Sequence, residues 1–459
     1  MQDKLTLDEI SEEIMELFRQ KKFQDIRNLI SEMEPADIAV IMDDLEQDEL
    51  PIFFRILPKE LAADTFVELD ADNQENLIKA FSDKELKEVL DDLFVDDTVD
   101  IIEEMPANVV KRILANSDHE TRYWINRILK YPDDSAGSMM TIEYVSLVKT
   151  MTVSEAFLRI KNTGVNKETI YTCYVVDSKR KLIGLVSAKD LLLAESDDII
   201  ENIMETNLIY AETDEDQEVA ARRLQKYDLL AIPVVDKELR LVGIITVDDA
   251  MDILTEANTE DISIMAAVTP NDKPYMKTGV FRIWANRIPW LLILMVSATF
   301  TGLIINSYES TLNALSPLLF ACIPMLMDTG GNAGSQVSVT VIRGLALNEL
   351  EFKDIFRVQW KELRVSFLLA LTLGVACFLK LLLIDNLIFG YNYTPILSAV
   401  VSFALFATVI IAKFVGCTLP LLAKKCKLDP AVVASPFITT IVDALSLLIY
   451  CFIAMQLLG

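Results

Sequence analysis

Five long apolar stretches follow residue 280, and they constrain the fold more than any other feature of this sequence. Each is long enough to cross about 30 Å of hydrocarbon as a helix. Helices in the cores of soluble proteins are rarely both this long and this poor in charge. We therefore expect a five-span α-helical membrane domain over residues 280–459. The expected spans run roughly over 284–305, 313–342, 363–389, 394–422 and 431–457.

The basic residues of the loops predict the orientation of these spans, because Lys and Arg accumulate on the cytoplasmic side. They occur before the first span, between the second and third, and between the fourth and fifth, whereas the other two loops carry none. Five spans then place the N-terminus in the cytoplasm and the C-terminus outside. We expect a multi-pass protein of the cytoplasmic membrane, embedded in the lipid bilayer.

The net charge of −27 is distributed unevenly along the chain. Residues 1–260 carry −30, and the remainder carries +3. A surface this acidic repels nucleic acid and attracts cations, so we expect no nucleic-acid partner. On charge alone, an ordinary acidic and soluble surface is the alternative.

The chain offers few ligands for a soft metal ion. His119 is its only histidine, and none of the six cysteines forms a CxxC pair, which indicates small buried hydrophobes in a reducing compartment. A metal ion must then be bound by oxygen, as is typical of the hard cations Mg2+ and Ca2+. No motif indicates catalysis, and we do not expect an enzyme.

One carboxylate lies near the middle of the fifth span. An ionised carboxylate there costs several kcal/mol, so Asp443 is expected to face a partner or a water-filled path. Ser435, Thr439 and Asp443 are four residues apart and share one helix face. A protonated, hydrogen-bonded structural acid is the alternative for Asp443, and Thr439 is able to bond its own helix backbone.

Prolines are expected to shape the start of this fifth span. Asp429 is a good cap for a helix whose first turn holds Pro430. Pro436 would then lie inside the helix and leave the carbonyl of Val432 without its donor.

The second span contains the polar segment PMLMDTGGNAGSQVSVT, residues 324–340. Its proline and glycines weaken a straight helix, whereas Asp328, Asn332, Ser335 and Gln336 supply oxygen atoms. A broken or closely packed helix of this kind occurs where it lines a cavity or meets another helix. Packing through small residues alone is the alternative.

The first 130 residues repeat at an interval of 24. Segments with helical periodicity lie between the repeated positions, which predicts an acidic all-α superhelix of short helices over residues 1–131. A scaffold is the alternative role for this domain. The repeated apolar positions are Met33, Leu57, Phe81 and Met105, with Leu45, Leu69 and Leu93 midway between them.

A second repeat occupies residues 132–258, as two modules over about 138–198 and 202–258. YVVDSKRKLIGLVSAKDLL matches PVVDKELRLVGIITVDDAM, and each copy predicts two strands followed by a helix. The pair resembles a tandem of CBS modules, an α/β fold in which a hydroxyl and an aspartate hold the phosphate and ribose of a nucleotide. The matching residues are Ser187 with Asp190, and Thr246 with Asp249.

The second module leads into an expected continuous helix over residues 247–267, within a linker helix region of 247–275. Asp249, Asp252, Glu256 and Glu260 form an acidic ridge along it. Like charges at these spacings destabilise a helix, and bound cations would relieve the repulsion. A solvated face is the alternative.

The order of these parts, together with PMLMDTGGNAGSQ and ASPFITTIVD in the spans, resembles the MgtE family of magnesium channels and transporters. The resemblance covers essentially the whole chain. It implies Mg2+ uptake by a homodimer with a pore on its two-fold axis. Hydrated Mg2+ would be held there by Asp443, Thr439, Ser435 and Asn332.

The resemblance also implies that cytoplasmic Mg2+ closes the pore by bridging acidic faces of the helical domain, the CBS pair and the linker. ATP is a further implied ligand, held in the CBS pair by Ser187, Asp190, Thr246 and Asp249. The matching regulatory positions are Asp96, Asp100, Glu218, Asp228, Asp249, Asp252, Glu260, Asp261 and Asp429.

Two other functions remain open from the sequence. One is a membrane-anchored CBS sensor of nucleotide or Mg2+, whose spans only anchor it. The other is a carrier that couples divalent cation flux to protons or sodium through Asp443. Substitution of Asp443 would leave the sensor intact, and carrier flux would follow the gradient of the driving ion.

Overall fold

The computed structural model describes residues 7–271, 273, 275–347, 349–433 and 435–459, without the side chains of Asp8, Val433 and Ser435. The chain divides into two compact units, Met1–Thr255 and Glu256–Gly459. We refer to them as the N-terminal unit and the C-terminal unit.

Ten short helices are described in the first part of the N-terminal unit. They share one apolar core, as the 24-residue repeat predicts, and the repeat positions Leu45, Leu57, Leu69, Phe81 and Met105 are all buried in it. The helices are α1 Leu7–Arg19, α2 Phe23–Ile30, α3 Pro35–Asp43, α4 Leu50–Phe54, α5 Lys59–Val67, α6 Ala71–Ala80, α7 Asp83–Leu90, α8 Val95–Glu104, α9 Ala107–Asn116 and α10 His119–Ile128.

Local signals in the sequence set where several of these helices begin. Ser82 and Glu85 form a reciprocal capping box at α7, and the side chains of Asp70 and Asp118 accept backbone N–H bonds at the starts of α6 and α10. Pro35 begins α3, where its missing N–H would have had no partner. Each helix is too short to be stable alone in water, so these caps act together with the shared core.

Two three-stranded sheets are described next, and they repeat one topology. In each, the first strand is parallel to the second, and the second is antiparallel to the third. The repeat therefore folds as two α/β modules, as predicted. Their elements are β1 Tyr144–Val148, α11 Val153–Thr163, β2 Thr169–Val176, β3 Leu182–Ser187, α12 Ala188–Leu193 and α13 Ile200–Ile203, then β4 Ala211–Glu212, α14 Gln217–Lys226, β5 Ala231–Val235, β6 Leu241–Thr246 and α15 Val247–Met265.

The glycines repeated in the two modules have the same structural reason. Gly184 on β3 and Gly243 on β6 each lie under a methionine side chain. A Cβ atom at Gly184 would be 2.6 Å from the sulfur of Met204, and one at Gly243 would be 2.6 Å from that of Met140. These glycines therefore allow side-chain packing on the strand backbone.

Six helices are described in the C-terminal unit after α15. The α19 helix continues through a π-helical turn, Lys380–Asp385. The helices are α16 Val280–Leu315, α17 Pro317–Ala321, α18 Ile323–Ala346, α19 Ile355–Leu379, α20 Pro395–Lys425 and α21 Ser435–Leu458.

Four stretches of the described chain are helical, long and apolar enough to cross a membrane: Val280–Leu315, Phe352–Asp385, Pro395–Lys425 and Pro436–Leu458. α18 is long enough as well, since its 24 residues extend about 36 Å at 1.5 Å per residue, but polar side chains make it less apolar. It packs against α20 and α21. Together with α18, these helices correspond to the five expected spans.

The second span differs from its expected limits of 313–342, because α16 extends to Leu315 and α18 begins only at Ile323. α18 is also continuous rather than broken. Its glycines serve close packing: a Cβ atom at Gly416 of α20 would lie 2.4 Å from the carbonyl oxygen of Gly334. The two helix backbones are therefore in contact, as small residues in membrane helices allow.

The start of the fifth span was predicted wrongly. Residues Pro430–Val433 form a separate 3-10 turn, and α21 begins at Ser435. Pro436 therefore lies in the first turn of α21, where proline is tolerated, and not inside a longer helix. Asp429 caps the 3-10 turn instead, through its Oδ1 and the N–H of Ala431 at 2.8 Å.

The linker is shorter in its helical part than expected. α15 ends at Met265 rather than at residue 267, and the described part of 266–275 is not helical. α15 crosses from the N-terminal unit into the C-terminal unit at Thr255. Beyond it, the N–H of Thr269 donates to the carbonyl of Asn286 on α16 at 2.9 Å.

Candidate cation sites

The membrane candidate site lies between α18 and α21, which pack against each other. A Cβ atom at Gly330 would lie 2.6 Å from Ser446 Oγ, and one at Gly334 would lie 3.1 Å from Ile438 Cγ2. Residue numbers rise along α18 while those of the contacted residues fall along α21, so the helices are antiparallel.

Asp443 lies between these two contacts and is half-buried. A Cβ atom at Gly331 would be 3.4 Å from Asp443 Oδ1 and 3.3 Å from Thr439 Cγ2, so this glycine leaves room beside the carboxylate. Thr439 Oγ1 donates to the carbonyl of Pro436 at 2.9 Å, and its own lone pairs stay available. Ser435, predicted to share this face, has its side chain outside the described residues.

Asn332 lies on an exposed polar face of α18. Asp328, Asn332, Gln336 and Thr340 are four residues apart, and all four are exposed in the single chain. We call these residues the polar stripe. Asp328, Asn332 and Gln336 were expected to supply oxygen atoms, but their alignment with Thr340 on one face was not predicted, although the four-residue spacing is visible in the sequence. A polar face is costly in contact with lipid, so it must face protein or water.

Two other acidic side chains of the membrane helices are paired with lysines. Asp385 Oδ2 is 2.7 Å from Lys380 Nζ, and Glu362 Oε2 is 3.8 Å from Lys413 Nζ. Removing one partner of a buried pair typically costs 3–5 kcal/mol. In the part of the chain that the structure describes, Asp443 has no such basic partner.

Seven carboxylates gather in the N-terminal unit, where α8 approaches the start of α15. The strongest charges acting on four of them, Asp96, Asp97, Asp100 and Glu168, are those of other acidic residues. We refer to these seven as the acidic cluster. It consists of Asp96, Asp97, Asp100, Glu143, Glu168, Asp248 and Asp249.

Burial, followed by the charges of neighbouring acids, raises the pKa values of five of these carboxyl groups, those of Asp96, Asp97, Asp100, Glu168 and Asp249. The pKa of Asp97 rises to about 6, and those of Asp100 and Glu168 rise to about 7. Burial, followed by the charges of Asp97 and Asp249, raises the pKa of Asp96 well above its ordinary value. Asp96 is only 9% exposed, and its Oδ1 has no hydrogen-bond partner among the described residues. At neutral pH the cluster therefore favours binding of a proton or a cation.

The described residues contain no group of three or more His, Cys, Asp or Glu arranged to hold a metal ion directly. This holds for the acidic cluster and for the face around Asp443. Mg2+ sheds its water reluctantly and is commonly held by one or two carboxylates with several waters retained. Both places therefore fit a hydrated divalent cation better than a dehydrated one.

The structure brings together three of the predicted regulatory residues, Asp96, Asp100 and Asp249. Asp252 follows on α15, and its charge acts on Asp249. The acidic doublets that contain Asp97 and Asp248 are visible in the sequence. Glu143 and Glu168 are not part of an acidic pattern in the sequence. They reach the cluster because each directly precedes a strand, β1 or β2, of the first module.

Other predicted regulatory residues lie elsewhere. Glu218 forms an ion pair with Arg222 on its own helix, and Asp228 is exposed at a turn with a φ of 51°. Glu260 and Asp261 lie on the part of α15 that belongs to the C-terminal unit. None of these four is among the residues of the acidic cluster.

The predicted nucleotide residues make the same local contact in both modules. Ser187 Oγ is 2.5 Å from Asp190 Oδ2, and Thr246 Oγ1 is 2.6 Å from Asp249 Oδ2. The first pair is a capping box for α12. The second pair contains Asp249, which also belongs to the acidic cluster. The two predicted roles therefore meet at one residue.

A cavity of about 630 Å3 lies in the second module. Tyr210 and Tyr227 contribute to its lining, together with an ion pair between Arg223 and Glu215. Aromatic walls with a few polar groups are typical of small-molecule sites.

Comparison with protein families gives matches along most of the chain. Residues 323–453 match the family described as the divalent cation transporter MgtE. Residues 33–134 match the MgtE intracellular N domain, and residues 136–197 and 200–256 match the CBS domain.

Two full-length relatives are similar over nearly the whole sequence. The magnesium transporter MgtE of Thermus thermophilus is 35% identical over 94% of this chain and 95% of the relative. The magnesium transporter MgtE of Bacillus subtilis is 33% identical over 99% of this chain and 98% of the relative.

Two solved structures resemble the N-terminal part of the chain. The cytosolic domain of the Mg2+ channel MgtE in complex with ATP is 34% identical, with a TM-score of 0.51, and covers 53% of this chain and 99% of its own. The soluble part of a magnesium transporter is 28% identical, also with a TM-score of 0.51, and covers 55% and 99%.

Proposed function

Because this chain belongs to the MgtE family of divalent cation transporters, we propose that it is a Mg2+ channel of the cytoplasmic membrane that cytoplasmic Mg2+ closes. It transports Mg2+, as its family and its relatives named magnesium transporters do. The observation that carries the channel proposal is Asp443, a half-buried intramembrane carboxylate beside Gly331 that lacks a described basic partner.

The proposed channel is a homodimer, because the described part of a single chain leaves a polar helix face without a protein or water partner. The polar stripe of α18 is exposed in the single chain, although α18 lies among helices apolar enough to span a membrane. A second copy related by a two-fold axis would bring two such stripes around a common aqueous path. Asp443 of each copy would then face that path.

The chemistry of Mg2+ supports an ion that passes with its water shell. Each Asp443 carboxylate would accept hydrogen bonds from water molecules bound to the ion, and Thr439 and Asn332 would add oxygen atoms along the path. Ser435 would extend the same face toward the N-terminal end of α21. The positive ion would also lower the cost of keeping Asp443 ionised in the membrane.

Closure would depend on the acidic cluster. Without cations, its carboxylates repel one another and weaken the contact between α8 and the start of α15. Mg2+ would relieve this repulsion and favour the packed arrangement. α15 continues directly into the C-terminal unit, which gives a covalent route from the cluster to the membrane helices. We propose Asp252, Glu260, Asp261 and Asp429 as further contributors, and Glu218 and Asp228 as sites formed only after rearrangement.

ATP is the proposed second ligand, held by the CBS pair. A relative's cytosolic domain was solved in complex with ATP. The hydroxyl–aspartate pairs Ser187–Asp190 and Thr246–Asp249 are the residues that would contact it. We also propose a cytoplasmic N-terminus, an external C-terminus and no enzymatic activity.

The direct test is Mg2+ flux into proteoliposomes with the native chain and with Asp443→Asn. The substitution preserves shape but removes the charge, so we expect flux to fall by at least about tenfold, equivalent to ~1.4 kcal/mol. Thr372→Val on α19 is a suitable control, because Thr372 is exposed and bonds only its own helix backbone at Leu368.

Three results would redirect the proposal. Native flux in the Asp443→Asn chain would remove Asp443 from the pathway. Flux that follows a proton or sodium gradient rather than the Mg2+ gradient would indicate a coupled carrier. No Mg2+ flux in the native chain would favour the membrane-anchored sensor.

A further inference from the structure

We infer that Asp328 provides a second carboxylate station for the hydrated cation, one helical turn from Asp443 on the side of the C-terminal end of α21. This rests on the proposed function, because it assigns a further residue to the same ion path. In the proposed orientation, Asp328 is met before Asp443 by an ion that enters from outside.

The first argument is the position of Asp328 in the polar stripe. It is exposed, whereas Leu326 and Gly330 on either side are buried. Asp328, Asn332 and Gln336 share one face of α18 because they are four residues apart. An exposed carboxylate in a membrane helix is tolerated where it faces water or a partner, so the stripe marks an aqueous path.

The second argument is the register between the two helices. Gly331 is level with Asp443 and Thr439, and Asp328 precedes Gly331 by three residues. Three residues correspond to about 4.5 Å along the helix axis. The charge of Asp328 acts on Asp443, which agrees with this short separation. The two carboxylates therefore lie about one helical turn apart along the axis of α18, on two neighbouring helices.

The third argument is the contrast with the paired intramembrane acids. Asp385 and Glu362 each have a lysine partner, Lys380 and Lys413. Within the described residues, Asp328 forms no ion pair and no side-chain hydrogen bond. Lysines thus neutralise Asp385 and Glu362, whereas Asp328 is left for a mobile cation.

The number of carboxylates indicates the charge of the ion. Two carboxylates and a hydrated environment suit a divalent cation, since one monovalent ion cannot neutralise both charges.

Asp328→Asn tests this role in full-length protein reconstituted in vesicles, with Mg2+ alone as the probe. We expect the external Mg2+ concentration for half-maximal flux to rise about tenfold, with maximal flux within about twofold of native. Sodium permeation in the absence of Mg2+ should change as well. Asp328→Glu retains the charge and should restore half-saturation to within about threefold of native.

The controls separate this inference from the proposed function. A native half-saturation value in Asp328→Asn, with flux abolished in Asp443→Asn, would overturn the second station alone. Flux retained in Asp443→Asn would overturn the proposed pathway and the second station with it. Reduced maximal flux with unchanged half-saturation, not restored by Asp328→Glu, would show a structural role and also overturn the inference. Thr372→Val should match the native chain in every measurement.

Discussion

The acidic cluster of the N-terminal unit and the membrane face formed by Asp443 and the polar stripe both contain carboxylates without basic partners among the described residues, but they are built differently. The cluster forms where α8 approaches the start of α15, so its carboxylates come both from the ten-helix part of the N-terminal unit and from the two α/β modules. Its most buried member, Asp96, is 9% exposed and has an oxygen without a hydrogen-bond partner in the described part of the chain. The membrane face is held by direct backbone contact, as at Gly334 and Gly416.

This difference suits the two proposed roles. A cluster assembled by domain packing changes its stability when a cation binds, because repulsion between its carboxylates opposes the packing. A face fixed by helix backbones keeps its oxygen atoms in place whether or not an ion is present. Cation binding can therefore act as a switch in the first region and as a step in transport in the second.

The largest effect is expected from pH on the metal-free cluster. The pKa values of Asp97, Asp100 and Glu168 are raised to about 6 to 7, so the folded state binds more protons than the unfolded state between about pH 4 and 7. Stability is therefore lost as pH rises through this window. Protection of α8 amides from hydrogen exchange should increase when pH falls from about 8 to 5.5, by an amount on the order of 3 kcal/mol after solvent screening.

Magnesium should replace the protons in this experiment. At about pH 8, added Mg2+ should increase α8 protection, whereas at about pH 5.5 it should add little, because the carboxyls are already protonated. Amides of α21 serve as an internal comparison. Equal pH dependence in α8 and α21, after correction for intrinsic exchange, would contradict the proposed difference between the regions.

The next largest effect is expected at the helix contact that fixes the membrane face. In Gly416→Ala, the new Cβ atom would lie 2.4 Å from the carbonyl oxygen of Gly334, so α18 and α20 must separate. We expect a loss of about 1–3 kcal/mol in the stability of the C-terminal unit and a reduced Mg2+ flux.

Gly302→Ala is the matched control, because a Cβ atom at Gly302 on α16 would have no other atom within 4 Å. Thermal unfolding of both variants in detergent measures the difference. Equal stability of the two variants would show that the contact between α18 and α20 tolerates separation.

A smaller effect on closure is expected from Asp249→Asn, which removes one charge from the acidic cluster. The internal Mg2+ concentration that half-closes the channel should rise about tenfold, equivalent to ~1.4 kcal/mol, with flux at zero internal Mg2+ unchanged. Asp190→Asn is the matched control, since Asp190 holds the equivalent position in the first module but is exposed and outside the cluster. Equal shifts in both variants would place the effect in the CBS motif rather than in the cluster.

The smallest effect is expected from Ser187→Ala. This change removes the cap of α12 and should cost about 1 kcal/mol of local stability. Closure by internal Mg2+ should stay native, because Ser187 contacts Asp190 and not the cluster. Hydrogen exchange of α12 measures the loss, and Ser178→Ala, at an exposed turn, is the control. A shift in Mg2+ closure would contradict the separation between the cap and the cluster.

Much of the fold could be predicted from the sequence because its signals are local. The 24-residue repeat gives the buried positions of the helical stack, and the repeated VVD and glycine pattern gives the two modules. Apolar length gives the membrane helices. The limits of the second and fifth spans were not predicted, although local signals mark them: Ser316 caps α17, which begins with Pro317, and Asp429 caps the 3-10 turn Pro430–Val433.

The candidate sites were predicted less completely. Spacing alone indicates the face shared by Thr439 and Asp443. It does not indicate that Gly331 of another helix lies beside that face, or that Asp328 is exposed near it. Glu143 and Glu168 likewise reach the acidic cluster only through the sheet of the first module.

The sequence by itself determined which segments are helices, strands and spans, and which carboxylates lie in an apolar environment, because these properties depend on neighbouring residues along the chain. Only the tertiary structure decided which carboxylates share a site. Asp190 and Asp249 follow the same motif, but only Asp249 lies where α8 approaches. Electrostatic interaction depends on distance and burial, and both are set by contacts between residues far apart in sequence.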